Sequence, residues 1–326
     1  MGEHVVRAPK GLPMHSPSTA VRAPWEAALS PAEHSLVFYA LVVAGLAMFV
    51  MFVRTWTSRN EVSSRYRPAL YASLGVVGAA FLSYVVLVLK FDLGYDPRGG
   101  SWHPNSDAFL SWAPRYMDWT VTVPLLVVEL IAVSALVGAM ARRVRAIGIA
   151  AAFLMIFTGY LGGVVIDNGE SLAALWTWGI ISSVFFVVLY AVVLFTVLRS
   201  LRSLPPAARP TYRNAMILLL VVWFVYPIVF GFQGYTSGGG WTTGLQLALC
   251  LADVAAKVGF GSLIHKIAKL RTAHDVSTGE DTHPESVWVS QVKGADAVTP
   301  AVQATDTVVV VDDLLPRPAR GVDTVG

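Results

Sequence analysis

Seven stretches of this chain are apolar over the length that crosses a bilayer as a helix, roughly 20 residues. They run over 33–56, 69–91, 109–136, 147–166, 172–198, 215–235 and 244–269. The pattern predicts an all-α membrane protein, a bundle of seven transmembrane helices. The first span carries its own start signal. Ser30-Pro31-Ala32-Glu33 reads as a capping box, with proline at the first helical position. The ends differ from the middle. Residues 1–29 are proline-rich and polar, with no apolar core run that would mark a signal peptide. Residues 272–326 mix Asp, Thr, Pro and Gly around one short valine run, Val308 to Val311, and are expected to be mostly disordered. The chain therefore divides into an outer N-terminal tail (1–29), a membrane domain (30–271) and a cytoplasmic C-terminal tail (272–326).

Composition agrees with this division. Only 14% of the 326 residues are charged, where a soluble domain carries about 25%, and the mean hydropathy is +0.59. The net charge of +3 is too small to imply a nucleic-acid partner. The single cysteine, Cys250, excludes an intramolecular disulfide and a cysteine-based zinc cluster, and is expected to pack as a small apolar residue; no metal site is expected. Arginines concentrate in alternate connections: Arg54, Arg59, Arg65 and Arg67; Arg142, Arg143 and Arg145; Arg199, Arg202, Arg209 and Arg213. Lys266, Lys269 and Arg271 cluster at the end of the last span, whereas Asp92, Asp96, Asp107, Asp167 and Glu170 mark the other side. The positive-inside rule puts the arginine side in the cytoplasm and the N-terminus outside. Arg7, Lys10 and Arg22 in the outer tail run mildly against it.

The chemistry lies in the few charges inside the spans. Span three holds Arg115, Asp118 and Glu129; span seven holds Asp253 and Lys257. Asp253 and Lys257 stand four residues apart on one helix face. A lysine withdrawn from water favours its neutral amine, which can condense with an aldehyde. Arg115, Asp118 and Thr122 share a face of span three. Glu129 lies about 16 Å further toward the cytoplasm, at 1.5 Å per residue. It has no cation nearby in sequence and is expected to be protonated at rest. A protonated Lys257 nitrogen and Arg115 balance Asp118 and Asp253, the neutral arrangement a low-dielectric interior tolerates. A buried Asp–Lys pair alone could merely join two helices. Five ionisable residues ordered along one direction on two helices point instead to an ion path.

These residues sit in strings that resemble the microbial (type 1) rhodopsins. Arg115-Tyr116-Met117-Asp118-Trp119-Thr120-Val121-Thr122-Val123-Pro124-Leu125-Leu126, followed by Glu129, resembles their third helix. Asp253 to Gly261 resembles the seventh; Trp223, Tyr226 and Pro227 resemble the sixth; Met155, Thr158 and Gly159 resemble the fourth. The likeness covers about 33–271 and omits both tails. It implies all-trans retinal on Lys257 as a protonated Schiff base, with Asp118 as counterion and first proton acceptor, hydrogen-bonded to Thr122. Asp253 becomes the second counterion, Arg115 the gate on the release side, and Glu129 the cytoplasmic proton donor. The Asp118/Thr122/Glu129 set resembles outward proton pumps of the proteorhodopsin and xanthorhodopsin groups, which implies a multi-pass protein of a bacterial plasma membrane, a homo-oligomer in its bilayer, and a transporter rather than an enzyme.

A polyene needs a long apolar slot. Trp119, Met155, Gly159, Trp223, Tyr226 and Phe230 could line it, with Tyr84 from the second span, although such aromatics alone are more often ordinary packing. Leu126 falls where green-absorbing members carry leucine. Gly179 is aligned with a glycine that in xanthorhodopsin-like members opens a side window for a carotenoid antenna. A shift of one residue would put Trp178 there and close it, and a helix-packing glycine is the plain alternative. The chain also departs from the pattern. Ser83 stands where proteorhodopsin-like pumps carry a second-helix histidine, and Gln233 stands near one position of an outer glutamate pair. His103 lies in the long outer loop, where a solvated role is the simpler reading. Competing functions are a photosensor signalling through a partner, a light-gated channel or inward transporter, and a seven-helix receptor without retinal. Glu129 argues against a sensor, Asp118 and Glu129 against a channel, and Lys257 against the last.

Overall fold

The computed structural model describes residues 23–108 and 113–281. Residues 1–22, 109–112 and 282–326, including the Val308–Val311 run, lie outside them. Seven helical rods follow one another in the described chain. The first span is Pro31–Thr57 and the second Arg67–Leu93. The third is Ala113–Ala132. The fourth, Gly138–Tyr160, runs on through a π turn at Leu161–Val165 into a 3-10 turn at Ile166–Gly169. The fifth is Leu172–Leu201. The sixth comes in two pieces, Arg209–Trp223 and Val225–Phe232. The seventh runs from Gly239 to Ser277.

Local chemistry sets these bounds. The expected capping box forms: the Ser30 hydroxyl accepts from the Glu33 amide at 3.3 Å, and Glu33 Oε2 accepts from the Ser30 amide at 2.8 Å. The break at Phe224 sits below Pro227, which has no N–H to give the Trp223 carbonyl four residues back. The fourth rod stops where Asp167 and Asn168 turn left-handed, at φ 49° and 52°, a conformation these two residue types tolerate better than most. Six rods are long and apolar enough to cross a membrane by length and hydropathy. The third falls short because Arg115, Asp118 and Glu129 share its 20 residues.

The bundle is inside-out relative to a soluble protein. Leu36, Val43, Leu46 and Val50 of the first span face outward, whereas Arg115, Asp118, Glu129, Asp253 and Lys257 are buried at the centre. This is the arrangement a lipid surround demands.

Three boundaries differ from expectation. Arg142, Arg143 and Arg145 lie on the fourth helix rather than in a loop. The seventh helix continues past 271 to Ser277, with Thr272, Ala273 and Asp275 buried. Its extension is held by Tyr66, whose hydroxyl donates to Asp275 Oδ2 at 2.6 Å, and by Arg271, which donates to the Val133 and Ser134 carbonyls at 3.1 and 2.6 Å. Those carbonyls belong to the buried connection just after the third helix, where backbone C=O groups need donors. Burial first, and the Asp275 bond second, push the Tyr66 hydroxyl up, so it stays a donor. The third boundary is at the outer end. Residues 23–29 pack on the bundle, with Trp25 and Leu29 buried.

An antiparallel hairpin that hydropathy did not announce covers the outer surface, β1 (Tyr95–Arg98) and β2 (Ser101–Pro104). Gly99 and Gly100 supply the positive φ of its turn, 57° and 83°. Leu29 pairs with Trp102, and His34 stacks on the Trp102 ring at 3.8 Å. His103 points out on β2, exposed.

Candidate functional site

Spans three and seven bring their charges together at mid-bundle. Lys257 Nζ is ion-paired to Asp118 Oδ2 and lies 3.3 Å from Asp253 Oδ1. Lys257 sits inside a π turn, Val254–Gly259, that interrupts the seventh helix; such wider turns recur at functional sites.

The two carboxylates are supported very unequally. Asp253 accepts from Tyr84 and Tyr226 hydroxyls, each at 2.8 Å, from Trp119 Nε1 at 3.1 Å and from Arg115 Nη1 at 3.4 Å. Asp118 has Lys257 alone; its Oδ1 has no partner among the described residues. The bond expected between Thr122 and Asp118 is not made, since Thr122 Oγ1 is also without a partner. Both side chains lie on the third helix, so rotamers rather than helix placement decide whether they meet. The negative charge of Asp253 is thus fixed by four neutral or cationic donors, and that of Asp118 by one ammonium.

Arg115 is held from the outer side. Its Nη2 donates to Gln246 Oε1 at 2.6 Å and approaches Cys250 Sγ at 3.6 Å. Cys250 is therefore an arginine contact as well as the packing residue that was expected. Gln246, Cys250, Asp253 and Lys257 step along one face at intervals of four, three and four. That spacing was a usable signal for Gln246. Ser83, in the position of the missing histidine, gives its hydroxyl to the Pro114 carbonyl at 3.0 Å and makes no bond to Asp118. Glu129 is fully buried; among the described residues it has no cation paired to it and no hydrogen bond of good geometry, with the Ser73 hydroxyl nearby.

An apolar cavity opens from Lys257, enclosing about 950 Å³ with its open mouth. Trp119, Leu126, Met155, Gly159, Gly179, Trp223, Tyr226 and Phe230 all line it, with Tyr116, Val123 and Gln233 added by the fold. Tyr84, expected among them, lies outside this lining and braces Asp253 instead. Gly179 and Trp178 face different surroundings. Gly179 lines the cavity, whereas Trp178 packs on Gly162, where a Cβ would meet its own Cβ at 2.6 Å. Phe230 closes over Gly179: a Cβ there would stand 2.7 Å from Phe230 Cε1.

Residues 31–270 match the bacteriorhodopsin-like protein family. The chain belongs to this family of microbial rhodopsins. Among its relatives is bacteriorhodopsin-I of Haloarcula marismortui, 32% identical over 67% of this chain and 83% of the relative. A green-light absorbing proteorhodopsin from a gamma-proteobacterium is 27% identical over 74% of this chain and 88% of its own. Among solved structures, a thermophilic rhodopsin superposes with a TM-score of 0.70 at 28% identity, covering 76% of this chain and 97% of its own. Xanthorhodopsin, described as a light-driven ion pump with dual chromophore, superposes at 0.68 and 29% identity, over 76% of this chain and 98% of its own. This rhodopsin is accordingly a multi-pass membrane protein of seven helices.

Proposed function

We propose that this rhodopsin is a light-driven outward proton pump using retinal held on Lys257. The observation that carries the reading is the pairing of Lys257 with an otherwise unsupported Asp118, at the end of an apolar cavity. The buried, unpaired Glu129 stands on the cytoplasmic side of that pair. The site suits the group: the cavity wall is aromatic and apolar, and its one amine is buried beside two carboxylates. Trp119, Met155, Gly159, Trp223, Tyr226 and Phe230 would hold the polyene. Retinal would supply light absorption and an isomerisation beside the Lys257 nitrogen.

The chain's own residues then direct the proton. Lys257 Nζ holds it in the dark, facing Asp118 Oδ2. Asp118 is the acceptor because its charge rests on that one ammonium; Asp253 keeps four other donors and stays ionised as the second counterion. Arg115, anchored outward by Gln246, offers its charge to a proton leaving on that side. Glu129 returns a proton to Lys257 Nζ and refills from the cytoplasm, which makes the direction outward. Thr122 lies beside Asp118 on the third helix, and a change of rotamer would let its hydroxyl bond the unpartnered Asp118 Oδ1. Gly179 is the place where a carotenoid could reach the cavity, once Phe230 turns aside. We take the working form to be a homo-oligomer in the lipid bilayer.

Asp118→Asn separates pigment from transport. The variant is expected to bind retinal and absorb visible light, with light-driven proton movement below about a tenth of the parent, because loss of a positioned acceptor typically costs 10²–10⁴-fold. Undiminished transport would contradict the assignment of the acceptor.

A further inference from the structure

The seventh helix carries four residues at intervals of four from the reactive lysine toward the cytoplasm: Lys257, Gly261, His265 and Lys269. Gly261 marks the depth of the donor. A Cβ at that glycine would stand 2.9 Å from Ser73 Oγ and 3.4 Å from Glu129 Oε1. The glycine thus leaves a seam where spans two, three and seven meet. The Ser73 hydroxyl and both Glu129 oxygens in this seam are buried; they make no hydrogen bond of good geometry among the described residues, and Ser73 is the hydroxyl close enough to act on the Glu129 carboxyl.

One turn further on, about 6 Å closer to the cytoplasm, lies His265. It is 3% exposed, and neither ring nitrogen has a partner among the described residues. Another turn on, Lys269 is ion-paired to Glu61. The pair is half-open to solvent, at 22% and 36% side-chain exposure. The charged groups that act on the imidazole are Lys269 on its own helix, Arg54 at the end of the first span and Glu61 in the connection after it. Arg54 is itself tied to the seventh helix through Ser262, at 3.0 Å.

A buried polar side chain without partners is uncommon and asks for a reason. Imidazole has a specific one to offer near neutral pH: it accepts a proton on one nitrogen and releases one from the other. We propose that His265 is the relay that refills Glu129 from the cytoplasm. The inference rests on Glu129 being the donor. A proton from cytoplasmic water, admitted past the Glu61–Lys269 pair, binds the free ring nitrogen. The resulting imidazolium gives up the proton on its other nitrogen to the Glu129 carboxylate, which has the Ser73 hydroxyl beside it in the seam. The imidazole ends neutral with its tautomer exchanged, and exchange with water restores it. The net change is one proton moved from the cytoplasm to Glu129.

The test is flash spectroscopy on the full chain in membranes with retinal, comparing the parent with His265→Phe and His265→Gln. Phenylalanine keeps the ring's packing without a titratable atom. Glutamine keeps a polar side chain and guards against failure of the first variant to fold. Two rates are followed: the return of the proton to the Lys257 nitrogen in the visible, and the recovery of the Glu129 carboxyl in the infrared. Both variants are expected to leave the first rate within twofold of the parent and to slow the second tenfold or more. Sodium azide, which carries protons as a small weak acid, is expected to restore it. Unchanged carboxyl recovery in His265→Phe would make the histidine a packing residue and overturn the inference. Slowing that azide does not relieve would also overturn it, as a structural effect. A Glu129→Gln variant with an unchanged late photocycle would instead remove the donor and, with it, the relay.

Discussion

Replacing Lys257 by alanine is expected to abolish the visible absorption band of the retinal-loaded protein, leaving free retinal alone in the spectrum. Lys257 contributes the one amine on the wall of the cavity. Its loss also leaves Asp118 with no described donor, beside Asp253, which keeps Arg115, two tyrosines and a tryptophan. Two close carboxylates cannot share one cation in a dry interior without cost. Breaking a buried ion pair from one side typically costs about 3–5 kcal/mol unless the survivor becomes neutral. Protonation of Asp118 is the cheaper outcome, so the bundle is expected to survive as a colourless, helical protein. Absorbance measured alongside far-ultraviolet circular dichroism checks both halves. A coloured and light-active Lys257→Ala protein would overturn the site.

Glu129→Gln is expected to slow the return of a proton to the Lys257 nitrogen by about 10²-fold, the usual loss for a positioned proton donor. The first transfer to Asp118 should keep its rate. The separation of these effects follows from distance. Glu129 stands about 16 Å from Asp118 along the helix, and it shares no hydrogen bond with the Lys257–Asp118–Asp253 cluster. Glutamine has nearly the same size and no proton to give, so packing against Gly261 and Ser73 is retained. Flash spectroscopy at fixed pH resolves the two phases. An unchanged slow phase would remove Glu129 from the path.

Much of this was legible in the sequence because lipid simplifies the problem. A span that faces hydrocarbon must be apolar for about 20 residues, so each rod announces itself. Charges that remain inside are rare enough to be weighed one by one. Lys257, Asp253, Asp118, Arg115 and Glu129 were found in that way, and the structure clusters the first four. The parts that hydropathy missed are those where lipid exerts no control. The cytoplasmic turns of the fourth and seventh helices are polar, and that of the seventh is held by the Tyr66–Asp275 and Arg271–Ser134 hydrogen bonds. The β1–β2 hairpin lies outside the membrane, although Gly99-Gly100 was a usable turn signal.

Partnerships between helices were harder still. Sequence spacing tells which residues share a face of one helix, but not how that helix is rotated against its neighbours. Tyr84 was assigned to the cavity and instead braces Asp253 from the second span. Gln246 and Cys250 hold Arg115. Thr122 stands beside Asp118 without bonding it. His265 carried no apolar or charge signal of its own, and only the placing of Glu129 and Ser73 against Gly261 draws attention to it.

Outward pumping is defined by the direction of proton flow under light. The deciding measurement is the external pH of a suspension of cells making this rhodopsin, supplied with all-trans retinal, under green light, with and without a protonophore. The account predicts acidification on illumination that the protonophore abolishes. Alkalinisation, or a pigment that bleaches and recovers with no change in pH, would contradict it.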